Sequence, residues 1–144
     1  MSRPVRPARA QFRHFTQIST RWSDNDIYGH TNNSVYYFWF DTAVNEYLIR
    51  AGALDIHGGA VIGLVVETGC AYFAPTAFPD RIHAGVRVDH IGTSSVRYAV
   101  GLFANDDDAA AAAGHFTHVY VDRETRRPVA LPDALRTALE AIRA

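Results

Sequence analysis

The stretch RWSDNDIYGHTNNSVYYFWFDTA, residues 21–43, places two carboxylates, a histidine and three asparagines just ahead of five consecutive aromatic residues. Asp24 and Asp26 lie two positions apart, so in an extended segment their side chains point the same way. Gly29 permits a tight turn, and three residues that commonly cap helices follow it, Asn32, Asn33 and Ser34. The pattern is typical of a capped helix entering a core, and it also suits a reaction centre built on the end of that helix.

The chemistry that such a stretch could carry is acyl transfer. The N-terminus of a helix offers unpaired backbone N–H groups and the positive end of a dipole, and both attract an oxyanion. A carboxylate within reach of that end can act as a nucleophile or as a general base on water. Together these groups form a minimal site in which N–H donors stabilise the negative charge that develops during the attack. Such a site needs no serine, cysteine or metal.

The element that must present these groups is a predicted helix over residues 34–50. The segment contains no Gly or Pro, and Gly52 stands just past its end as a stop. Apolar side chains lie on far more than one stripe of this helix: Val35, Tyr36, Phe38, Trp39, Phe40, Ala43, Val44, Tyr47 and Leu48. A helix that is apolar on most sides is expected to be buried on most sides.

The rest of the chain is mostly strand-like. Alternating apolar and polar residues predict one strand before the polar cluster, within residues 11–22, and four after the helix, over residues 61–74, 81–91, 95–104 and 114–123. Only the short Gly92-Thr93 link separates the strands ending at residue 91 and starting at residue 95, which indicates a hairpin. Pro132 and Asp133 open a short C-terminal helix.

This order of elements predicts the α+β class with an antiparallel sheet, because strands follow one another without βαβ alternation. The long helix is the only element large enough to cover the sheet, so we expect the sheet to wrap around it. Residues 1–10, rich in Pro and Arg, predict a flexible tail, and residues 11–144 predict a single domain.

Composition narrows the function classes. The 144 residues are 48% hydrophobic and 20% charged with a net charge of -1, which favours a soluble globular protein and gives no electrostatic case for nucleic acid or an anionic membrane as partner. No apolar run approaches the roughly 20 residues of a membrane helix. The basic first ten residues lack the apolar run of a secretory signal, so the expected location is cytoplasmic.

Several other chemistries find no support in the sequence. All 14 basic residues are Arg, which excludes a Schiff-base lysine and a lysine-dependent phosphate loop. The single cysteine, Cys70, is expected to be a buried thiol, and no Gly-x-Ser-x-Gly elbow is present. His115 and His118 lie three apart on a predicted strand and so face opposite sides, which argues against a metal site. We expect neither a metal nor a cofactor.

The motif Arg-Trp-x-Asp-x-Asp-x-x-Gly-His-x-Asn-Asn-x-x-Tyr over residues 21–36 resembles that of hot-dog-fold acyl-CoA thioesterases of the 4-hydroxybenzoyl-CoA thioesterase type. The likeness extends along nearly the whole chain. It includes a Tyr-x-x-Pro segment at residues 72–75, a Gly-x-Ser-Ser hairpin at residues 92–95, an Asp-x-x-Thr turn at residues 122–125 and a Pro-led final helix.

The resemblance implies a catalytic role for Asp26, which matches the second Asp of the motif. It also implies an oxyanion site at the backbone near Asn32, Asn33 and Ser34, with His30 orienting the turn or lining the pocket. The aromatic residues Tyr36, Tyr37 and Trp39 suggest an apolar acyl pocket. For coenzyme A, the resemblance implies binding by the hairpin residues Gly92, Thr93, Ser94 and Ser95 and by the basic residues that flank them, Arg87 and Arg97.

The function expected from this resemblance is hydrolysis of an acyl- or aroyl-CoA to free acid and CoA. The resemblance further implies a homo-oligomer, either a dimer or a tetramer of dimers, with the active site at the dimer interface. Two alternatives stay open: a non-catalytic acyl-CoA-binding protein, and a hydratase or dehydratase on the same fold. The acyl group and the choice between nucleophile and general base are also open.

Overall fold

One long helix and a five-stranded antiparallel sheet make up most of the computed structural model, which describes residues 3–144. The strands are β1 (His14–Ser19), β2 (Val61–Tyr72), β3 (Arg81–Ile91), β4 (Ser95–Ala104) and β5 (Ala112–Asp122). The helices are α1 (Asn33–Arg50) and α2 (Asp133–Ala141), and two short 3-10 turns occupy Arg9–Gln11 and Trp22–Asp24. No helix in the described part of the chain has the length and apolar character to cross a membrane.

The strands lie in the order β1-β3-β4-β5-β2, and every neighbouring pair is antiparallel. This arrangement confirms the predicted α+β hot-dog architecture. The hairpin between β3 and β4 is confirmed as well, with Ile91 paired to Val96 beside the turn. β1 and β2 are the two edges of the sheet, so one side of each strand carries unpaired backbone groups.

The core forms between α1 and the inner face of the sheet. Alternate residues of the central strands are fully buried against the helix, as the predicted alternation requires: Ile82, Val86, Val88, Val96, Tyr98, Val100 and Leu102. From the helix side, Phe40, Ala43, Val44 and Leu48 are fully buried in the same cluster. Burying a single side chain of this size contributes about 1.5–3 kcal/mol, so the α1–sheet contact dominates the stability of the fold.

Both ends of α1 follow from local sequence. The Asn32 side chain caps the first turn by accepting a hydrogen bond from Ser34 N–H at 3.0 Å. After Arg50 the chain reverses at Gly52, whose φ of +70° lies in the left-handed region that glycine tolerates best. α2 begins after Pro132, and its apolar side chains Leu135 and Leu139 are buried in the core together with Ile142, which follows the helix.

Several predicted boundaries differ from the structure by two residues or more. β1 is shorter than predicted because 3-10 turns at Arg9–Gln11 and Trp22–Asp24 flank it. β2 ends at Tyr72 rather than Ala74. β5 begins at Ala112 rather than Gly114, because Ala112 pairs with both Leu102 of β4 and Tyr72 of β2. Pairing between strands therefore adds Ala112 and Ala113, which lie before the predicted start of the strand.

The N-terminal segment also differs from the predicted flexible tail, of which Met1 and Ser2 lie outside the described residues. Arg6 Nε donates to Ala110 O at 2.7 Å, and Ala110 N–H donates to Pro7 O at 2.9 Å. Arg9 donates to Asp107 O and to Asn105 O, and its guanidinium lies 5.1 Å from the centre of the Phe103 ring. These contacts hold residues 6–9 against the turn between β4 and β5.

Candidate active site

Asp24 anchors the loop that precedes α1. Its carboxylate is 1% exposed and accepts hydrogen bonds from Arg21 N–H at 2.7 Å and from the Arg21 guanidinium at 2.8 and 3.0 Å. Its main-chain oxygen accepts from Asn32 N–H at 2.8 Å. Asp24 thus fixes the residue that caps the helix, a positioning role that the sequence did not predict.

Asp26 is held in a tight turn with its carboxylate half-buried. Asp26 N–H donates to His30 O at 2.8 Å, and Gly29, with φ at +80°, closes the turn by donating from N–H to Asp26 O at 3.1 Å. One carboxylate oxygen, Oδ1, accepts from Tyr28 N–H at 2.9 Å. The other oxygen makes no hydrogen bond within residues 3–144 and is free to attack or to accept a proton.

Of the four backbone N–H donors at the start of α1, three have hydrogen-bond partners nearby in the chain. Asn32 N–H bonds to Asp24 O, Ser34 N–H bonds to Asn32 Oδ1, and Val35 N–H bonds to Asn32 O. Asn33 N–H has no partner within the described residues, so it is the donor that the first turn leaves for a ligand. Among the backbone N–H groups of residues 32–34, for which an oxyanion site is predicted, Asn33 N–H is therefore the one without a partner in the described residues, at the positive end of the helix dipole.

Asp26 and Asn33 line the same open cavity, with a volume of about 520 Å³. Its other lining residues come from the motif and from the segment after β2: His30, Thr31, Asn32, Tyr36, Tyr72, Phe73, Ala74 and Pro75. The structure thus brings together most of the polar residues that the sequence predicted. Ser34 is the exception, because its hydroxyl donates to Asn32 Oδ1 at 2.9 Å and lies outside this cavity.

His30 lies on the exposed rim of the cavity. Its main-chain oxygen accepts the hydrogen bond from Asp26 N–H, so the residue closes the turn that carries the carboxylate. The contact is made by the main chain, so the role of the His30 side chain in orienting the turn or in catalysis stays a prediction.

Tyr72, at the end of β2, completes the wall of the cavity. Its hydroxyl donates to Asn33 O at 3.1 Å, and its ring packs edge-on against Tyr36 with centroids 5.0 Å apart. Desolvation at this position raises the Tyr72 pKa well above its ordinary value, so the phenol stays protonated and serves as a donor. The Tyr-x-x-Pro segment at residues 72–75 was the sequence signal that could have identified this residue.

The three residues predicted for the acyl pocket occupy three different environments. Tyr36 lines the Asp26 cavity. Tyr37 lines a separate groove of about 250 Å³ with Ser34, Phe38, Asp41, Val65 and Phe116. Trp39 is 5% exposed, belongs to the core and lines neither space. Of the three residues, only Tyr36 lines the same cavity as Asp26.

The residues predicted to bind coenzyme A lie away from the Asp26 cavity within one chain. The hairpin turn is fixed by its backbone, since Leu131 N–H donates to Thr93 O at 3.0 Å and Tyr120 N–H donates to Ser94 O at 2.8 Å. Arg87 pairs with Asp89 at 2.7 Å, and Arg97 lies 3.7 Å from Glu67. Both arginines alternate with buried residues and so project from the sheet face opposite α1.

Burial shifts the pKa values of two further candidates, the Cys70 thiol and the His118 ring. Burial raises the pKa of the Cys70 thiol to about 11, which keeps it protonated and unreactive near neutral pH. Burial lowers the pKa of His118 to about 4, and its ring packs among Tyr98, Phe116 and Tyr120 in the core. Within residues 3–144 no group of three or more His, Cys, Asp or Glu side chains is arranged to hold a metal ion.

Comparisons with known proteins show similar sequences and similar folds. The crystal structure of the PA5185 protein from Pseudomonas aeruginosa strain PAO1 matches with a TM-score of 0.95 and 58% identity, covering 97% of this chain and 98% of that one. YsmA, an uncharacterized protein of Bacillus subtilis strain 168, is 21% identical over 136 residues, 94% of this chain and 91% of YsmA. Slr0204, a 1,4-dihydroxy-2-naphthoyl-CoA thioesterase from Synechocystis, shares the fold with a TM-score of 0.79 at 16% identity, covering 87% of this chain and 93% of that one.

The family model described as the Thioesterase-like superfamily matches residues 20–139, a span that contains the Asp26 loop, α1 and all four strands that follow it. This match confirms the predicted resemblance to hot-dog thioesterases, whereas the narrower 4-hydroxybenzoyl-CoA type stays a prediction. The chain belongs to the Thioesterase-like superfamily.

Proposed function

We propose that the protein hydrolyses the thioester of an acyl- or aroyl-CoA to the free acid and CoA, with Asp26 as the catalytic carboxylate. The observation that supports this proposal is the shared cavity of Asp26 and Asn33. One carboxylate oxygen of Asp26 has no partner in the described residues, and neither has the N–H of Asn33. An acceptor and a donor of this kind are what the two sides of an acyl-transfer transition state require.

In this mechanism the thioester carbonyl oxygen accepts a hydrogen bond from Asn33 N–H, and the helix dipole favours the negative charge that develops there. In one route, Asp26 attacks the carbonyl carbon and expels the CoA thiolate, and water then hydrolyses the acyl–aspartate anhydride. In the other route, Asp26 takes a proton from water as the water attacks the carbonyl carbon, and the tetrahedral intermediate then breaks its C–S bond and expels the CoA thiolate, which takes up the proton. Both routes yield the carboxylic acid and CoA, and both use the free oxygen of Asp26.

The second subunit enters the proposal through the exposed edge of the sheet. The outer edge of β2 is long and presents exposed apolar side chains, Leu64 at 38%, Val65 at 48% and Val66 at 59% exposure. An unpaired apolar edge of this kind favours pairing with another strand, and two-fold symmetry would place a second copy of β2 antiparallel to the first. Since Tyr72 ends β2 and lines the cavity, such a homodimer would place the partner at the rim of the site.

Binding of the CoA phosphates is assigned in this proposal to arginine. Arg87, Arg97 and the hairpin residues Gly92, Thr93, Ser94 and Ser95 stay the candidates, and with no lysine in the chain arginine is the only side chain with a permanent positive charge. None of these residues lines the Asp26 cavity of its own chain, so in the proposed homodimer they would serve the site of the partner or hold the distal end of CoA.

The test is release of CoA from a panel of straight-chain and aromatic acyl-CoAs, followed with a thiol reagent. Because the fold is shared with a 1,4-dihydroxy-2-naphthoyl-CoA thioesterase, the panel includes bicyclic aroyl-CoAs. Wild type is expected to turn over at least one thioester, and Asp26→Asn is expected to lose that activity. Asp106→Asn makes the same change on an exposed turn away from the cavity and serves as the control. Tight binding of acyl-CoA without turnover would favour the non-catalytic alternative.

A further inference from the structure

Three hydroxyl groups form a buried chain behind the Asp26 cavity. Tyr36 OH lies 3.0 Å from Thr76 Oγ1, and Thr76 Oγ1 lies 2.8 Å from Thr31 Oγ1. The exposed fractions of the three residues are 3%, 1% and 6% in the same order. This chain of hydrogen bonds connects α1, the segment after β2 and the loop that carries Asp26.

The direction of this chain follows from counting protons. Each hydroxyl has one proton to donate. Thr76 donates its proton to Thr31 Oγ1, so Tyr36 must be the donor to Thr76. The proton of Thr31 then has no acceptor within residues 3–144. A buried donor without a protein partner calls for an explanation, because leaving such a donor unpaired is costly.

The location of Thr31 supplies a candidate acceptor. Thr31 lines the cavity that also contains Asp26 and Asn33, and it stands two residues before Asn33 in the chain. Its backbone is fixed as well, because Thr31 N–H donates to Thr76 O at 2.7 Å. Solvent in the open cavity can accept the hydroxyl proton in the free protein, and a polar atom of a bound molecule can replace that solvent.

We infer that the Thr31 hydroxyl donates a hydrogen bond to the bound thioester, as a second donor beside Asn33 N–H. This inference rests on the function proposed above. The aligned Tyr36–Thr76–Thr31 chain polarises the Thr31 hydroxyl, which makes it a stronger donor than an isolated threonine. Such a contact strengthens as negative charge grows on the substrate, so it accelerates the chemical step more than it tightens substrate binding.

The experiment compares isosteric variants in steady-state hydrolysis of the best acyl-CoA of the panel. Thr31→Val removes the hydroxyl and keeps the shape, whereas Thr31→Ser keeps the hydroxyl. We expect Thr31→Val to lower kcat by on the order of 10²-fold with little change in KM, as is usual for the loss of one oxyanion donor. Thr31→Ser is expected to retain most of the wild-type kcat.

Thr76→Val separates a substrate contact from a structural role. It breaks the same buried chain at a residue that does not line the cavity. We expect its melting temperature to fall at least as much as that of Thr31→Val, while its kcat falls much less. The inference is overturned if Thr31→Val is as active as Thr31→Ser, or if Thr76→Val loses as much kcat as Thr31→Val.

Failure of the inference is distinguishable from failure of the proposed function. If wild type releases no CoA from any thioester, the function proposed above fails and the Thr31 contact fails with it. If wild type is active, Asp26→Asn is inactive and the two Thr31 variants are equally active, only the role of Thr31 is wrong.

Discussion

The Tyr72 hydroxyl donates a hydrogen bond to the main-chain oxygen of Asn33 at 3.1 Å. The bond joins the end of an edge strand to the residue whose N–H is the free donor of α1. The position of the proposed oxyanion donor therefore depends on the sheet as well as on the helix.

Replacing Tyr72 by Phe tests this dependence. The ring contact with Tyr36 survives in Tyr72→Phe, and only the hydrogen bond to Asn33 O is lost. A neutral hydrogen bond contributes a net 0.5–1.5 kcal/mol, so we expect kcat to fall by about 2- to 10-fold with a small change in stability. Steady-state kinetics measure the effect, and an unchanged kcat would show that Asn33 is positioned without Tyr72.

We expect Asp24→Asn and Asp26→Asn to differ in stability. Asp24→Asn removes the negative charge and replaces one of the two carboxylate oxygens that accept hydrogen bonds from Arg21 at a buried position, so we expect a loss of about 1–3 kcal/mol in the free energy of unfolding. Asp26→Asn keeps the turn and should retain near-wild-type stability. Denaturant unfolding of both variants measures this, and equal stability of the two would contradict the anchoring role of Asp24.

His118 predicts an acid-dependent loss of stability. Its pKa is lowered by burial from 6.5 to about 4, so the folded protein keeps the ring neutral where the unfolded chain takes up a proton. The free energy of unfolding keeps its full value above pH 6.5 and decreases as the pH falls from 6.5 toward 4. His118 accounts for up to about 3 kcal/mol of this decrease.

Unfolding free energies of wild type and His118→Gln between pH 7 and pH 4.5 provide the measurement. The variant should show a shallower decrease than wild type over that range. His57→Gln, at an exposed position, is the matched control and should keep the wild-type slope. Equal slopes for wild type and His118→Gln would mean that other groups carry the acid sensitivity.

The single cysteine, which is half-buried, gives a direct test of how its surroundings lower its reactivity. With a pKa of about 11, the Cys70 thiol holds very little thiolate at pH 8, and thiolate is the reactive form. We expect native protein to react with an aromatic disulfide reagent far more slowly than the denatured chain, which should release one equivalent promptly. Reaction of native protein at the denatured rate would place Cys70 on the surface.

The exposed β2 edge predicts a charge-sensitive dimer. Val66→Lys places a charge on the outer edge of β2, a device by which natural sheets prevent edge pairing. We expect sedimentation to show an oligomer for wild type and a larger monomer fraction for the variant. Val5→Lys makes the same change at a residue that is 88% exposed in the N-terminal segment and should leave the oligomer intact. A monomeric wild type would remove the proposed role of the second subunit.

Local sequence patterns predicted the parts of the fold that depend on neighbours in the chain. The bounds of β3 and β4 agree with the prediction, because alternation and a short turn are local properties. The start of β5 at Ala112 and the contacts of Arg9 were not predictable in the same way. Both depend on partners far along the chain, such as Tyr72 for Ala112 and Asp107 for Arg9.

In the candidate site, too, local features were predictable from the sequence and contacts between distant segments were not. The motif placed Asp26 and Asn33 on either side of one helix start, and the structure puts them in one cavity. The roles of Thr76 and Tyr72 depend on the segment after β2 returning over the start of α1, about 40 residues later in the sequence. The hydrogen bond from Asn32 N–H to Asp24 O was likewise not predictable from the sequence, because either residue alone is typical of an ordinary helix cap.

The most direct measurement is the rate of CoA release by wild type, Asp26→Asn and Asp106→Asn under identical conditions, with the best acyl-CoA of the panel. The proposed mechanism predicts hydrolysis by wild type and Asp106→Asn, and a loss of several orders of magnitude in kcat for a correctly folded Asp26→Asn. Full activity of Asp26→Asn, or the absence of hydrolysis by wild type with every thioester, would contradict it.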